Sequence, residues 1–171
     1  MKLHPEQQLA SQESMLKRFQ GSEGRLHLID ALQSQPLVGD KDLAVEIARL
    51  VKLEETLAGT DLIKQGASDT DLFLILSGEF SVAIDGRIVA QKKAGEQVGE
   101  MAVVDPRTPR SASVTATSDS VVARIAESDF SALADRFPRL WRRIALELVG
   151  RLRKQNAPDH DREKAGRPAS G

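Results

Sequence analysis

The sequence predicts an α+β fold, mainly β. It would be an antiparallel jelly-roll-like β-barrel with N-terminal helices, one short internal helix and two C-terminal helices. Three observations carry this. The hydrophobic period is helical up to about residue 51, becomes two from there, and turns helical again after the strands end. Gly59, Gly66, Gly78, Gly86 and Gly95 recur at short intervals, as many short strands joined by tight turns require. Asp85-Gly86 separates two strand-like runs and is a hairpin signal.

Taken in order, residues 1–24 are polar and rich in Gln and Ser, with weak helical character around Met15-Leu16 and Phe19. Leu26, Leu28, Ile29 and Leu32 indicate a short helix, closed by the breaker-rich Gln35-Pro36-Leu37-Val38-Gly39-Asp40. Asp40 or Asp42 caps the next helix, in which Leu43, Ile47, Leu50 and Val51 recur at helical spacing. These helices either cover one end of the following domain or bind a partner. Phe80, Val82 and Ile84 then alternate with Ser81, Ala83 and Asp85, the pattern of a half-buried strand. After the strands, Ser128 or Asp129 starts a helix through Phe130, Leu133 and Ala134, ending near Pro138, which suits the first turn of another. In that last helix Trp141, Ile144, Ala145, Leu148 and Leu152 form one apolar stripe, available either to the barrel or to a homodimer seam. The chain thus divides into a helical extension (1–42), a central domain (43–154) and a flexible linker or tail (155–171).

Composition removes several classes of function. The 171 residues make one domain with an extension, and 24 basic against 25 acidic residues leave a net charge of −1, which advertises neither nucleic acid nor membrane. Without cysteine there are no disulfides and no thiolate metal sites. The amino terminus lacks the apolar core of a signal peptide, and the longest plain apolar run, Leu72 to Leu76, is far short of a membrane span. The expectation is a soluble, cytoplasmic chain. His4, His27 and His160 lie outside the predicted strands and no nucleophile–base pair is visible, so no metal, no cofactor and no catalysis is expected of these residues. The polar tail cannot supply a helix-turn-helix, so no DNA contact is expected either.

The chemistry concentrates in residues 98–116. Gly99-Glu100-Met101-Ala102 reads as a short helix whose first turn faces a ligand. Arg110, ten residues after Glu100, shares strand parity with Ala112, Val114 and Ala116, so its side chain points inward with small neighbours beside it. Free amides at a helix start attract an anion, and a guanidinium grips its oxygens through paired donors. A carboxylate nearby accepts from a sugar hydroxyl, and anion plus hydroxyl suggests a ribose phosphate. Each residue also has a plain reading. Glu100 suits a helix dipole, and Arg110 would serve as a structural partner of Glu100 or Asp105. Arg107 sits mid-loop as a solvated residue. Met101 reads as a core anchor rather than a base contact, and Ser111 as a small strand residue or a hydroxyl for the phosphate or base.

This stretch resembles the phosphate-binding cassette of cyclic-nucleotide-binding domains, the family of the catabolite activator protein and the regulatory subunit of protein kinase A. Upstream, Gly59-Thr60-Asp61-Leu62-Ile63-Lys64-Gln65-Gly66 and Asp71-Leu72-Phe73-Leu74-Ile75-Leu76-Ser77-Gly78-Glu79 match the family's early strands, and Phe130 and Pro138 mark its closing helices. Val98 stands where phenylalanine is common, and Ser111 where many members carry alanine. The resemblance implies a regulatory sensor for a 3′,5′-cyclic mononucleotide. Its phosphate would be held by Arg110, Ser111 and amides around Ala102 and Ala112, and its ribose 2′-hydroxyl by Glu100 with the Gly99 amide. Residues 138–154 would be a lid over the ligand, with Arg151 its base or sugar contact. The guanidinium of Arg110 would be neutralised only when the nucleotide arrives. With five Phe, one Trp and no Tyr, no stacking platform marks the base. The layout also resembles the sensor half of bacterial Pycsar antiphage effectors, which join such a sensor to an NAD-degrading TIR domain and respond to cyclic UMP or cyclic CMP. The alternatives are a cyclic AMP- or cyclic GMP-responsive domain of a transcription factor or other signalling protein, and a ligand-free scaffold.

Overall fold

The computed structural model describes residues 15–157, so His4, His160 and the rest of the expected tail lie outside the described residues. In chain order the elements are α1 (Gly21–Gln33), α2 (Lys41–Leu50), β1 (Lys52–Thr56), β2 (Asp61–Ile63), β3 (Leu72–Ser77), β4 (Glu79–Ile84), β5 (Arg87–Lys93), β6 (Gln97–Val98), α3 (Glu100–Val104), β7 (Ser113–Ala116), β8 (Ser120–Ile125), α4 (Glu127–Arg136) and α5 (Arg139–Gln155). The α+β jelly-roll architecture is present, with two differences of detail. The strands form two four-stranded antiparallel sheets, ordered β1-β8-β3-β6 and β2-β7-β4-β5, rather than a closed barrel. Helix also takes up more of the described residues than strand, because the flanking helices are long and the strands short.

The apolar run at Leu72–Leu76 is explained by its place in the layers. In β3, Leu72, Leu74 and Leu76 join a core shared with α1, α2, α4 and α5, while Phe73 and Ile75 face the space between the two sheets. β8 behaves the same way, with Val121, Ala123 and Ile125 toward the helices and Val122 toward the other sheet. A strand covered on both faces has no polar side to show, so alternation in sequence disappears while alternation in space persists. β4 loses cover toward its turn: Phe80 is buried, Ser81, Val82 and Ala83 are half-buried and Ile84 is exposed. Asp85 (φ 50°) and Gly86 (φ 76°) make the β4–β5 turn with two left-handed residues, the geometry that matches the twist of a two-residue hairpin.

The helices before and after the sheets form one layer. The Asp40 side chain accepts from the Leu43 amide at 2.9 Å, capping α2, and Leu28, Ile29, Leu32, Leu43 and Ile47 are buried against Phe130, Leu133, Leu140 and Ile144. The first half of α5 is tied to the turn after α1. Arg143 donates to the carbonyls of Leu37 (2.8 Å) and Val38, and Arg139 pairs with Asp40 at 2.6 Å. The stripe expected on this helix is split. Ile144 is fully buried and Trp141 and Leu148 pack partly on the core, whereas Ala145, Val149 and Leu152 face outward.

Leu37 and Val38 are buried, so removing the guanidinium strands their carbonyls without a donor. Arg143→Ala is expected to lower unfolding free energy by about 1–3 kcal/mol. Urea denaturation followed by circular dichroism measures this, and an unchanged midpoint would contradict the clamp.

Candidate functional site

The short β6 strand delivers the chain into α3 through Gly99, whose φ is 90°. A Cβ there would lie 2.7 Å from the Asp71 carbonyl oxygen and 2.8 Å from Arg110 Nη1. The position therefore requires glycine for conformation and for space, since the Arg110 guanidinium passes directly beneath it. Glu100 follows in the first turn of α3 and is 3% exposed, with Ala102 and Val103 buried on the same helix.

Arg110 is 5% exposed, as its parity predicts, but β7 begins only at Ser113, so Arg110, Ser111 and Ala112 precede the strand. Its backbone is held by two bonds, Arg110 N to Ala67 O and Gly66 N to Arg110 O, both 2.8 Å. The guanidinium donates to Asp69 Oδ2 from Nε (3.1 Å) and Nη2 (2.6 Å), to the Asp71 carbonyl from Nη2 (2.7 Å) and to the Gly99 carbonyl from Nη1 (3.3 Å). The expectation of a cation left unneutralised is therefore corrected: Arg110 already has a counter-ion, and it is neither Glu100 nor Asp105. The physical reason is burial, because a charge so far from water must be paired. The Asp69 side chain is 45% exposed and belongs to the loop between β2 and β3, so the pair joins a buried cation to an anion at the surface.

Glu100 is paired as well. Arg151, from the second half of α5, ion-pairs through Nη1 with Glu100 Oε1 and donates from Nη2 to Glu147 Oε1 at 2.7 Å. Burial acts against the charged guanidinium, yet the two carboxylates outweigh it and hold the Arg151 pKa above the ordinary arginine value. Arg151 on the lid candidate and the cassette carboxylate Glu100 are thus in direct contact.

The other expected residues fall as follows. Met101 is 48% exposed rather than a core anchor, because it sits on the outer face of a five-residue helix, and the Ser111 hydroxyl donates to its sulfur at 3.4 Å. The Ala102 amide, expected at the phosphate, donates to the Gly99 carbonyl at 3.2 Å, and Ala112 is half-buried. Arg107 is solvated in its loop, where Asp105 accepts from Thr108 Oγ1 at 2.6 Å; that bond first, and Arg107 after it, holds the Asp105 carboxyl below the usual range. Val98 is buried between the sheets in the place expected for a phenylalanine. His27 faces the Arg18 carbonyl at 3.2 Å.

Residues the sequence did not single out complete the arrangement: Asp69 and Asp71 on Arg110, Glu147 on Arg151, and Gln97 on Glu147. The Glu147–Arg151 spacing on a predicted helix was a readable signal. Asp69, in the polar loop Ser68-Asp69-Thr70-Asp71, carried none. Asp69 and Asp71 also line a cavity of about 360 Å³, together with Glu54, Glu55, Asp61, Phe73 and Arg124; neither Glu100 nor Arg110 lines it. The cavity thus presents five carboxylates and one guanidinium, Arg124. Among the described residues no three His, Cys, Asp or Glu side chains are grouped to hold a metal, and no helix is long and apolar enough to cross a membrane.

Residues 53–137 match the family described as cyclic nucleotide-binding domain. The Pycsar effector protein XpPycTIR of Xanthomonas perforans is 41% identical over 143 residues, covering 83% of this chain and 47% of that protein. BcPycTIR of Burkholderia cepacia is 42% identical over the same shares. The chain thus spans about half the length of the curated relatives it matches. Among solved structures, the Thermus thermophilus catabolite activator protein aligns with a TM-score of 0.62 and 26% identity over 68% of this chain and 56% of that one. The regulatory domain of Toxoplasma gondii PKA with cAMP aligns with a TM-score of 0.60 and 26% identity, over 67% of this chain and 46% of that one.

If Asp69 is the resident counter-ion of Arg110, Asp69→Ala leaves the guanidinium under-compensated. Stability is expected to fall by about 1–3 kcal/mol, less than for a fully buried pair because Asp69 is half in water. Added inorganic phosphate recovers part of the loss by taking the vacated place. Thermal melts with and without phosphate check this, and a variant as stable as the parent would contradict the pairing.

Proposed function

Because the chain belongs to the cyclic nucleotide-binding domain family, we propose that it is a regulatory sensor holding a 3′,5′-cyclic mononucleotide between Arg110 and Glu100. The observation that carries the reading is a pair of buried opposite charges flanking one helix turn, each neutralised by a side chain partly in water. Asp69 is 45% exposed and Arg151 37%, so both partners have somewhere to go when a ligand arrives. The cyclic phosphate takes up Arg110 donors that Asp69 now holds, together with the Ser111 hydroxyl and amides around Ala102 and Ala112. The ribose 2′-hydroxyl goes to Glu100, with the Gly99 amide beside it. The residues bind and carry no catalysis.

Output follows from α5. Its first half is clamped to the turn after α1, while its second half reaches Glu100 through Arg151, with Glu147 on Gln97 and Leu148 packed partly on the core. Ligand that changes the Glu100–Arg151 contact therefore shifts the second half against a fixed first half, and the ligand's differential affinity for the two arrangements sets the response. Residues 43–154 are the nucleotide-binding unit in this reading, with residues 15–42 packed beside it. The output module lies outside this sequence. The identity to Pycsar TIR effectors favours a TIR domain that degrades NAD in antiphage defence, in the cytoplasm, with cyclic UMP or cyclic CMP as the signal. The likeness to the catabolite activator protein and to a cAMP-bound regulatory domain favours the second reading, a cyclic AMP or cyclic GMP response. A homodimer forms through α5, where Leu146, Val149 and Leu152 are 62%, 41% and 57% exposed alongside Ala145.

Isothermal titration with cyclic UMP, CMP, AMP and GMP tests the function directly. One of them is expected to bind, and Arg110→Ala to weaken it by roughly 30-fold to several-thousand-fold, as for loss of a buried charged partner. Glu100→Ala costs less, because the lost partner is a neutral hydroxyl. No heat with any of the four would leave the scaffold reading. Light scattering tests the dimer: the parent chain runs at twice the monomer mass and the double variant Val149→Glu/Leu152→Glu as a monomer, whereas equal masses contradict the seam.

A further inference from the structure

Glu147 contacts neither Arg110 nor Glu100, yet it is the most connected side chain on α5. Gln97 Nε2 donates to its Oε2, Arg151 Nη2 donates to its Oε1 at 2.7 Å, and Lys92 Nζ lies 3.9 Å away. Gln97 is 6% exposed on β6, three residues before Glu100. The contacts therefore close a ring: β6 fixes Gln97 and Glu100 together, Gln97 holds Glu147, Glu147 holds Arg151, and Arg151 returns to Glu100.

A free guanidinium facing a carboxylate prefers to set two parallel donors on its two oxygens. Here Nη2 is spent on Glu147, and the Glu100 contact runs from Nη1 to Oε1. We infer that Glu147 is a positioning residue for the sugar: it holds Arg151 to one oxygen of Glu100 and so keeps the other as acceptor for the ligand hydroxyl. Without Glu147, Arg151 is free to set both donors on Glu100, where it competes with the ligand hydroxyl for the second oxygen. The inference rests on the proposed role of Glu100 and adds a determinant of ribose against deoxyribose that lies outside the cassette.

The test is calorimetric titration of the parent chain, Glu147→Gln, Arg151→Gln and the double variant. Cyclic UMP, cyclic CMP, cyclic AMP and cyclic GMP, with the 2′-deoxy form of each, are the probes. Glutamine keeps an acceptor for Gln97 and loses the charge that holds Arg151. Glu147→Gln is expected to weaken the ribonucleotide about tenfold, the scale of one charge-assisted hydrogen bond, and the 2′-deoxy form less than about twofold. In the Arg151→Gln background the same substitution changes neither affinity, because Glu147 acts only through the guanidinium. An equal loss for both sugars, or an effect that persists without Arg151, overturns the positioning role while leaving nucleotide binding intact. A parent chain that binds none of the probes, or binds both sugars equally, overturns the reading of Glu100 and this inference with it.

Discussion

A guanidinium with 5% of its surface in water has to be surrounded by acceptors, and the folded chain arranges three for Arg110. They come from separate places: the Asp69 carboxylate and the Asp71 carbonyl from the loop before β3, and the Gly99 carbonyl from the entrance to α3. Because these segments are far apart in sequence, the side chain ties the β2–β3 loop, the cassette and the approach to β7 into one corner. Satisfying a charge there also builds a place where another anion competes. Two of the three acceptors are backbone oxygens fixed by the fold, and only the carboxylate is free to turn outward. Under the proposed function, a phosphate competes with that one partly exposed aspartate rather than with the whole corner.

Glu100 repeats the arrangement with the signs reversed. Its partner Arg151 comes from a helix whose first half is locked to the α1–α2 turn by Arg143 and Arg139. The helical layer thus has one fixed end and one end that meets the ligand-binding side through a few charged contacts. Burial of Ile144, beside exposure of Leu146, Val149 and Leu152, shows the same gradient along α5. The layering of the sheets makes this possible. β3 and β8 are covered on both faces, so the helical layer packs directly on β3, the strand that follows Asp71.

Much of the fold was legible in the residues. Asp40 caps α2, Asp85-Gly86 turns the hairpin, and Phe130 and Leu133 are buried on α4 as their spacing requires. These features depend on local conformation and on one period at a time. Closure of the strands into two sheets was not legible, because which strands leave an edge unpaired is decided by long-range register. Of the candidate site, the sequence singled out Gly99, Glu100 and Arg110, and the structure buries both charges, although Arg110 lies before β7 rather than on it. Their counter-ions were not. Asp69 is 41 residues from Arg110 in an unpatterned loop, and its pairing follows from three-dimensional closure alone. Met101 was misread because an apolar residue on a helix is usually core, whereas a five-residue helix at the surface has room to bury only one side.

The central claim is that Arg110 exchanges a resident carboxylate for the phosphate of a cyclic nucleotide. Arginine side-chain ¹⁵N NMR, following the Arg110 Nε–Hε resonance through titration with cyclic UMP and cyclic AMP, observes that exchange at the atom concerned. This resonance is expected to move in step with ligand saturation, as the bond to Asp69 is traded for one to phosphate. A resonance that stays in place while the nucleotide saturates the protein would contradict the exchange.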